Sequence, residues 1–167
     1  LMQCHSLARA ILSLGKLRSD YEKYQQKLAE ELCPNMAALG GADVAAKLVS
    51  HVGSLQKLAL LPASTIQVLG AEKALFKHLR NRRIDPPKHG IIFQHPLIHR
   101  ASWWQRGKVA RVLAGKLSIA ARIDTYSGEY QADELKYTLD KRIEDIKKKY
   151  PKPTTRREPQ KYGEQMK

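Results

Sequence analysis

The sequence predicts an all-α fold: several helices packed as one domain, behind the end of a longer coiled-coil helix. Three observations carry that prediction. Apolar residues recur at the helical spacing of three and four over most of the 167 residues. Proline and glycine interrupt the recurrence at Pro34, Gly40, Gly41, Gly53, Pro62 and Gly70, cutting it into helix-sized pieces. Only residues 91–93 have the composition of a strand, and no second strand is present to pair with them.

Residues 7–32 carry a heptad, with Leu7, Leu14, Tyr21 and Leu28 at one position and Ala10, Leu17, Tyr24 and Glu31 at the other. Two arrangements satisfy it: the seam of a coiled coil, or an amphipathic helix lying on its own domain. The chain opens inside this pattern and at Leu1, so an upstream helix and a longer intracellular parent protein are expected. Cys4 and Cys33 fall in the same predicted helix, about 43 Å apart at ~1.5 Å per residue, which forbids a bridge between them.

Pro34 and Asn35 end that helix, since the residue before proline is pushed out of the helical region and Asn caps well. Residues 36–52 and 54–61 read as helical core, with Leu39, Val44, Leu48 and Val49 on the apolar face of the first. Ser64 is a candidate N-cap for a pattern of Ile66, Leu69, Leu75, Phe76 and Leu79 that Gly70 interrupts. Residues 80–90 hold three arginines and adjacent prolines, which marks a basic loop, and 91–93 serve as its apolar anchor. After Pro96 and a turn at 101–104, a helix over 105–125 places Lys108, Arg111, Gly115, Ser118 and Arg122 on one polar stripe. Val109, Val112, Leu113, Leu117, Ile119, Ala120 and Ile123 take the opposite arc, and the small Gly115 and Ser118 leave room for a sugar-phosphate backbone between the cations. A last helix over 131–149 buries Leu135, Leu139, Ile143 and Ile146, with acids early and lysines late as the helix dipole favours. The domain division is therefore 1–33, 34–150 and a basic tail, 151–167, expected to be disordered away from a partner.

Charge points to the partner. The formal net charge is +14 with a pI near 9.9. Residues 70–124 hold twelve cations, Lys73, Lys77, Arg80, Arg82, Arg83, Lys88, Arg100, Arg106, Lys108, Arg111, Lys116 and Arg122, against Glu72, Asp85 and Asp124. Such a segment calls for an anionic partner, nucleic acid before a membrane surface. No apolar run reaches the ~18 residues of a spanning helix.

Chemistry is absent by contrast. His78, His89, His95 and His99 cluster around the loop, but Pro96 breaks the helix that would put His95 and His99 on one face, and no cysteine stands near. These histidines suit base stacking, phosphate contacts or capping, and no metal or cofactor is expected. Trp103 and Trp104 are a stacking candidate or a packed hinge. No phosphate-binding glycine loop, nucleophile elbow or paired carboxylates occur, so the chain is not expected to be an enzyme. Glu72, next to Lys73, reads as half of a salt link.

Three blocks in order, GAEKALFKHL (70–79), PPKHGIIFQHPLI (86–98) and RGKVARVLAGKLSIAARID (106–124), resemble the Nop domain in the form carried by archaeal scaffolds of box C/D ribonucleoproteins. The likeness spans about 32–150, and residues 1–31 resemble the end of that family's coiled coil. It implies an all-helical module that recognises a kink-turn in the guide RNA jointly with a kink-turn-binding protein of ribosomal type. The full scaffold would dimerise through its coiled coil and recruit fibrillarin through an N-terminal domain that this sequence does not include. It would work in the archaeal cytoplasm, or in the nucleolus or nucleus of a eukaryote. The same likeness puts Gly70, Ala71, Glu72, Ala74, Leu75 and Phe76 against the partner protein. RNA would meet Lys73, Lys77, Arg80, Arg82, Arg83, Lys88, His89, Gln94, His95, Arg106, Lys108, Arg111, Lys116 and Arg122. Lys108 and Arg111 match the family's Gly-Lys-x-Ala-Arg pattern. Lys77 stands where Arg is frequent, and Gln94 where relatives present a histidine. A splicing factor gripping a related kink-turn, and a basic architectural DNA-binding protein, are the alternatives.

Overall fold

In the computed structural model, one long helix leads into a packed cluster of shorter ones. It describes residues 2–153, with side chains from residue 3; residue 1 and most of the basic tail, 154–167, lie outside the described residues. The described residues form α1 (Met2–Leu32), α2 (Pro34–Gly40), α3 (Ala42–Val52), α4 (Leu55–Leu60), α5 (Ala63–Val68), α6 (Glu72–Arg80), a 3-10 turn (Ile91–Gln94), α7 (Pro96–His99), α8 (Arg106–Tyr126) and α9 (Ala132–Lys149). None of them is a strand, as the periodicity requires.

α8 is the axis of the domain, with α2, α4, α5, α7 and α9 all packed on it. Val109, Ala110, Leu113, Ala114, Leu117, Ala120 and Ala121 are buried along it. The alanines explain how so many helices approach: a small side chain on several sides lets each neighbour come close. Leu117 illustrates the fit, since a Cβ on Gly40 of α2 would stand 2.9 Å from its side chain.

α1 behaves as two parts. Its C-terminal turns pack on α2 and α3 and bury Ala29, whereas Leu7, Ile11, Leu14, Leu17, Tyr21 and Tyr24 are all exposed. Within this chain the first heptads therefore do not lie on the domain. Cys4 is exposed and Cys33 buried, both free thiols. The Cys33 thiol donates to the Ala29 carbonyl at 3.2 Å, and burial, with Asp124 adding, pushes its pKa up to about 11.

Several helix ends differ from the sequence expectation for local reasons. Pro34 starts α2 as its first residue, so the break falls at Cys33. Asn35 is a buried member of α2 and caps nothing locally. Ser64 sits inside α5, which is capped at Pro62, while Ser54 caps α4 by accepting from Lys57 N–H at 3.2 Å. Gly41 and Gly53, at φ +81° and +94°, close α2 and α3.

Candidate nucleic-acid interface

Residues 70–90 leave the domain as an arm whose two ends are tied together. Gly90 N–H donates to Gln67 O at 3.0 Å, Ile91 N–H to Leu69 O at 2.8 Å, and the Gln67 side-chain amide to Lys88 O at 2.8 Å. Glycine is needed at both ends. Gly70 turns with φ +84°, and a Cβ on Gly90 would stand 1.9 Å from Leu69 O. Behind the clasp, Ile92 is fully buried and anchors the arm in the core, as expected of residues 91–93.

The arm's first half is α6, which buries none of its residues. Glu72 fixes its start: one carboxylate oxygen accepts from Gly70 N–H at 2.6 Å and meets His51 Nε2 of α3 at 2.9 Å. Those contacts, the Gly70 amide first, hold the Glu72 pKa below its ordinary value despite some desolvation. The side-chain link of Glu72 thus runs to α3 and not along α6. The returning half folds back through His78 Nδ1–H, which donates to Ile84 O, and Asn81 Oδ1, which accepts from Arg83 N–H.

On this arm Lys73, Lys77, Arg80, Arg82 and Arg83 are all exposed. So are Ala74, Phe76 and Gly70, while Ala71, Glu72 and Leu75 are half-buried. Phe76 is 64% exposed and Leu79 58%, so apolar rings and chains stand among the cations.

At the arm's return, His89 stacks on Phe93 with centroids 4.4 Å apart and planes 13° from parallel. Arg106 covers the same ring at 5.5 Å, and His99 meets it tilted at 5.5 Å. Burial first, then Arg106 and Lys88, lowers the His89 pKa, which favours the neutral ring.

Other predicted contacts have internal work. His95 accepts from Leu97 N–H at 3.2 Å, capping α7, and burial lowers its pKa while a backbone bond at Leu39 opposes the shift. Arg106 donates to Ala101 O at 3.1 Å and His99 O at 3.3 Å, and Arg122 to Ala59 O at the end of α4, 3.1 Å. These guanidiniums satisfy carbonyls that short helices and turns leave unpaired. Gln94 is exposed and receives Lys47 at 2.7 Å, and Lys47 also reaches Asp43. The pairings of Lys47 with Gln94 and of His51 with Glu72 carried no signal in the sequence, because those partners lie in distant segments.

The α8 stripe needs correction. Ser118 is buried and Ile119 is 42% exposed, the reverse of the helical-wheel assignment. A wheel with one apolar arc fails here because α8 is covered on several sides, and the open strip is narrow. It runs Arg111, Gly115, Ile119, Arg122, with Lys108 and Lys116 half-buried beside it. Gly115 does stand open, with nothing within 4 Å of an added Cβ, whereas Ser118 leaves no room for a phosphate.

Residues 1–146 match the Nop family, described as a snoRNA binding domain, fibrillarin. An uncharacterized NOP5 family protein of Methanocaldococcus jannaschii is 56% identical over 146 residues, covering 87% of this chain and 35% of that protein. Nucleolar protein 56 of Homo sapiens is 42% identical over 127 residues, 76% of this chain and 21% of that protein. The crystal structure of a fibrillarin/Nop5p complex superposes with a TM-score of 0.70 at 41% identity, over 85% of this chain and 53% of that one. The chain thus spans about a fifth to a third of these curated relatives.

Proposed function

Because the chain belongs to the Nop family, we propose that it is an RNA-binding assembly module of a box C/D ribonucleoprotein that directs 2'-O-methylation. In this reading it recognises kink-turn RNA together with a kink-turn-binding protein of ribosomal type. Residues 34–150 are the recognising domain, 1–33 the end of a coiled-coil helix through which the longer scaffold dimerises, and 151–167 a basic appendage. Recruitment of the methyltransferase belongs to an N-terminal domain of the longer scaffold. The module itself performs no reaction.

The observation that carries the reading is the arm. It offers six exposed cations, Lys88 among them, beside the exposed Phe76 and Leu79, on a segment anchored at both ends. Cations alone would suit any polyanion, and apolar side chains alone any protein surface. A composite surface of phosphate and protein uses both. Anchoring lowers the ordering cost that a free loop would bear on binding.

The deciding experiment titrates this chain against kink-turn RNA, with and without the kink-turn-binding protein, and against duplex DNA. The expected result is weak affinity for bare RNA, a sharp rise in the RNA-protein complex, and steep loss with salt. Equal affinity for duplex DNA and the RNA-protein complex would overturn it.

A further inference from the structure

A second surface gathers aromatic rings and cations where α8 begins and α9 ends. Trp104 donates its indole N–H to Tyr150 O at 3.0 Å, and the Gln105 amide donates to the same carbonyl at 2.7 Å. These two bonds dock the end of α9 against the start of α8. Trp103 takes no part in that docking: it meets Trp104 edge-on, 5.8 Å between centroids at 90°, and is 60% exposed. Lys88, returning from the arm, lays its stem over Gly107, its carbons 3.5 to 3.7 Å from where a Cβ would be. Its ammonium stands 5.8 Å from the Trp103 ring. Lys108 lies 4.1 Å over the Tyr150 ring, and Lys149 stands 6.0 Å from it.

We propose that this surface is a binding site for an unpaired RNA nucleotide, with the base stacked on Trp103 and its phosphates drawn to Lys88, Lys108 and Lys149. The inference rests on the RNA-binding reading above and extends the contact beyond the arm. A large exposed indole on a backing fixed by two hydrogen bonds is a preorganised stacking surface. Lys88 stands near the ~6 Å limit of a cation–π contact, so its ammonium is free to turn to a phosphate when a base covers the ring. An acidic peptide would use the lysines and leave the indole bare, whereas a nucleotide uses both. A base held in a duplex stack has no free face, so the occupant is single-stranded.

The test uses the full chain and kink-turn RNA preassembled with the kink-turn-binding protein, once with a short unpaired uridine extension and once trimmed. The extension should tighten binding to the unaltered chain. Trp103→Ala should remove about tenfold in affinity for the extended RNA, the equivalent of about 1.4 kcal/mol, and leave the trimmed RNA and the melting temperature unchanged. Trp103→Phe should recover most of the loss. An extension that adds nothing, a Trp103→Ala variant that binds it as tightly, or equal weakening towards both RNAs would overturn the site. So would displacement of the extension by polyglutamate as readily as by oligouridine. If the unaltered chain binds the trimmed RNA normally in those cases, the RNA-binding reading stands alone; if it binds neither RNA, both fall.

Discussion

Asp124, near the end of α8, accepts both the backbone N–H and the side-chain amide of Asn35, 89 residues earlier, at 3.0 and 2.7 Å. Its other oxygen takes Met36 N–H at 3.0 Å. Asn35 is fully buried; the same side-chain NH2 also donates to Glu129 O, and its Oδ1 accepts from Gln131 N–H. One asparagine thus ties α2, α8 and the turn into α9. Asp124→Ala strands several of these buried groups, and should cost about 2–4 kcal/mol. Thermal melting should then fall by roughly 5–15 °C.

Gly90→Ala tests the arm's root. Its new Cβ would fall 1.9 Å from Leu69 O, so the clasp must open by main-chain movement. We expect at least ~2 kcal/mol of destabilisation and faster protease cleavage within residues 73–84. Unaltered cleavage would show that the clasp does not order the arm.

The cations should divide into two classes. Neutralising Lys73, Lys77, Arg82 and Arg83 together should leave melting nearly unchanged, because all four are exposed on the arm. RNA affinity should fall, and the salt slope should shrink by about 0.9 for each duplex phosphate that is no longer neutralised, somewhat less on single strands. Arg106→Ala and Arg122→Ala should do the opposite first: each removes a donor from a backbone carbonyl and lowers stability by about 1–2 kcal/mol. Isothermal titration alongside thermal melting separates the two behaviours.

Acid should weaken the fold through His89 and His95. Burial is the first cause of both lowered pKa values, with Arg106 and Lys88 adding at His89. The unfolded chain therefore takes up a proton before the folded one does. Stability from these rings is fully present above the unfolded value near 6.5 and is lost as pH falls through the folded values. The melting temperature should decline from about pH 6.5 downwards. His95→Asn keeps an acceptor for Leu97 N–H but cannot titrate, so it should flatten part of that decline.

The two thiols should differ in rate. Cys4 is exposed, while Cys33 is buried with its thiol held protonated. A thiol reagent near pH 8 should modify one cysteine per native chain quickly, and the second only on unfolding.

Much of the helical plan was legible because helical periodicity, and the prolines and glycines that interrupt it, are local. The helix expected over 131–149 is Ala132–Lys149, and the one over 105–125 is Arg106–Tyr126. What the sequence concealed is long-range. Nothing local marks Asn35 as the partner of Asp124 or His51 as that of Glu72, since neither pairing follows a helical spacing. The error at Ser118 and Ile119 has the same origin: which faces of α8 are covered depends on helices far away in the chain. Among the candidate contacts, charge located the arm cations as a group, but it could not separate Arg106 and Arg122, whose guanidiniums serve carbonyls, from those left open.

The meeting of Gly90 with Leu69 also bears on how this scaffold can vary. Since the chain leaves the core and re-enters it at the same place, residues 73–87, between the Glu72 contact with His51 and the Lys88 and His89 contacts with the core, form a cassette. Their length and spelling can be exchanged while the core side chains beneath, such as Ile66 and Ile92, keep their neighbours. Grafting the corresponding segment of a relative between Glu72 and Lys88 should therefore leave the host architecture intact.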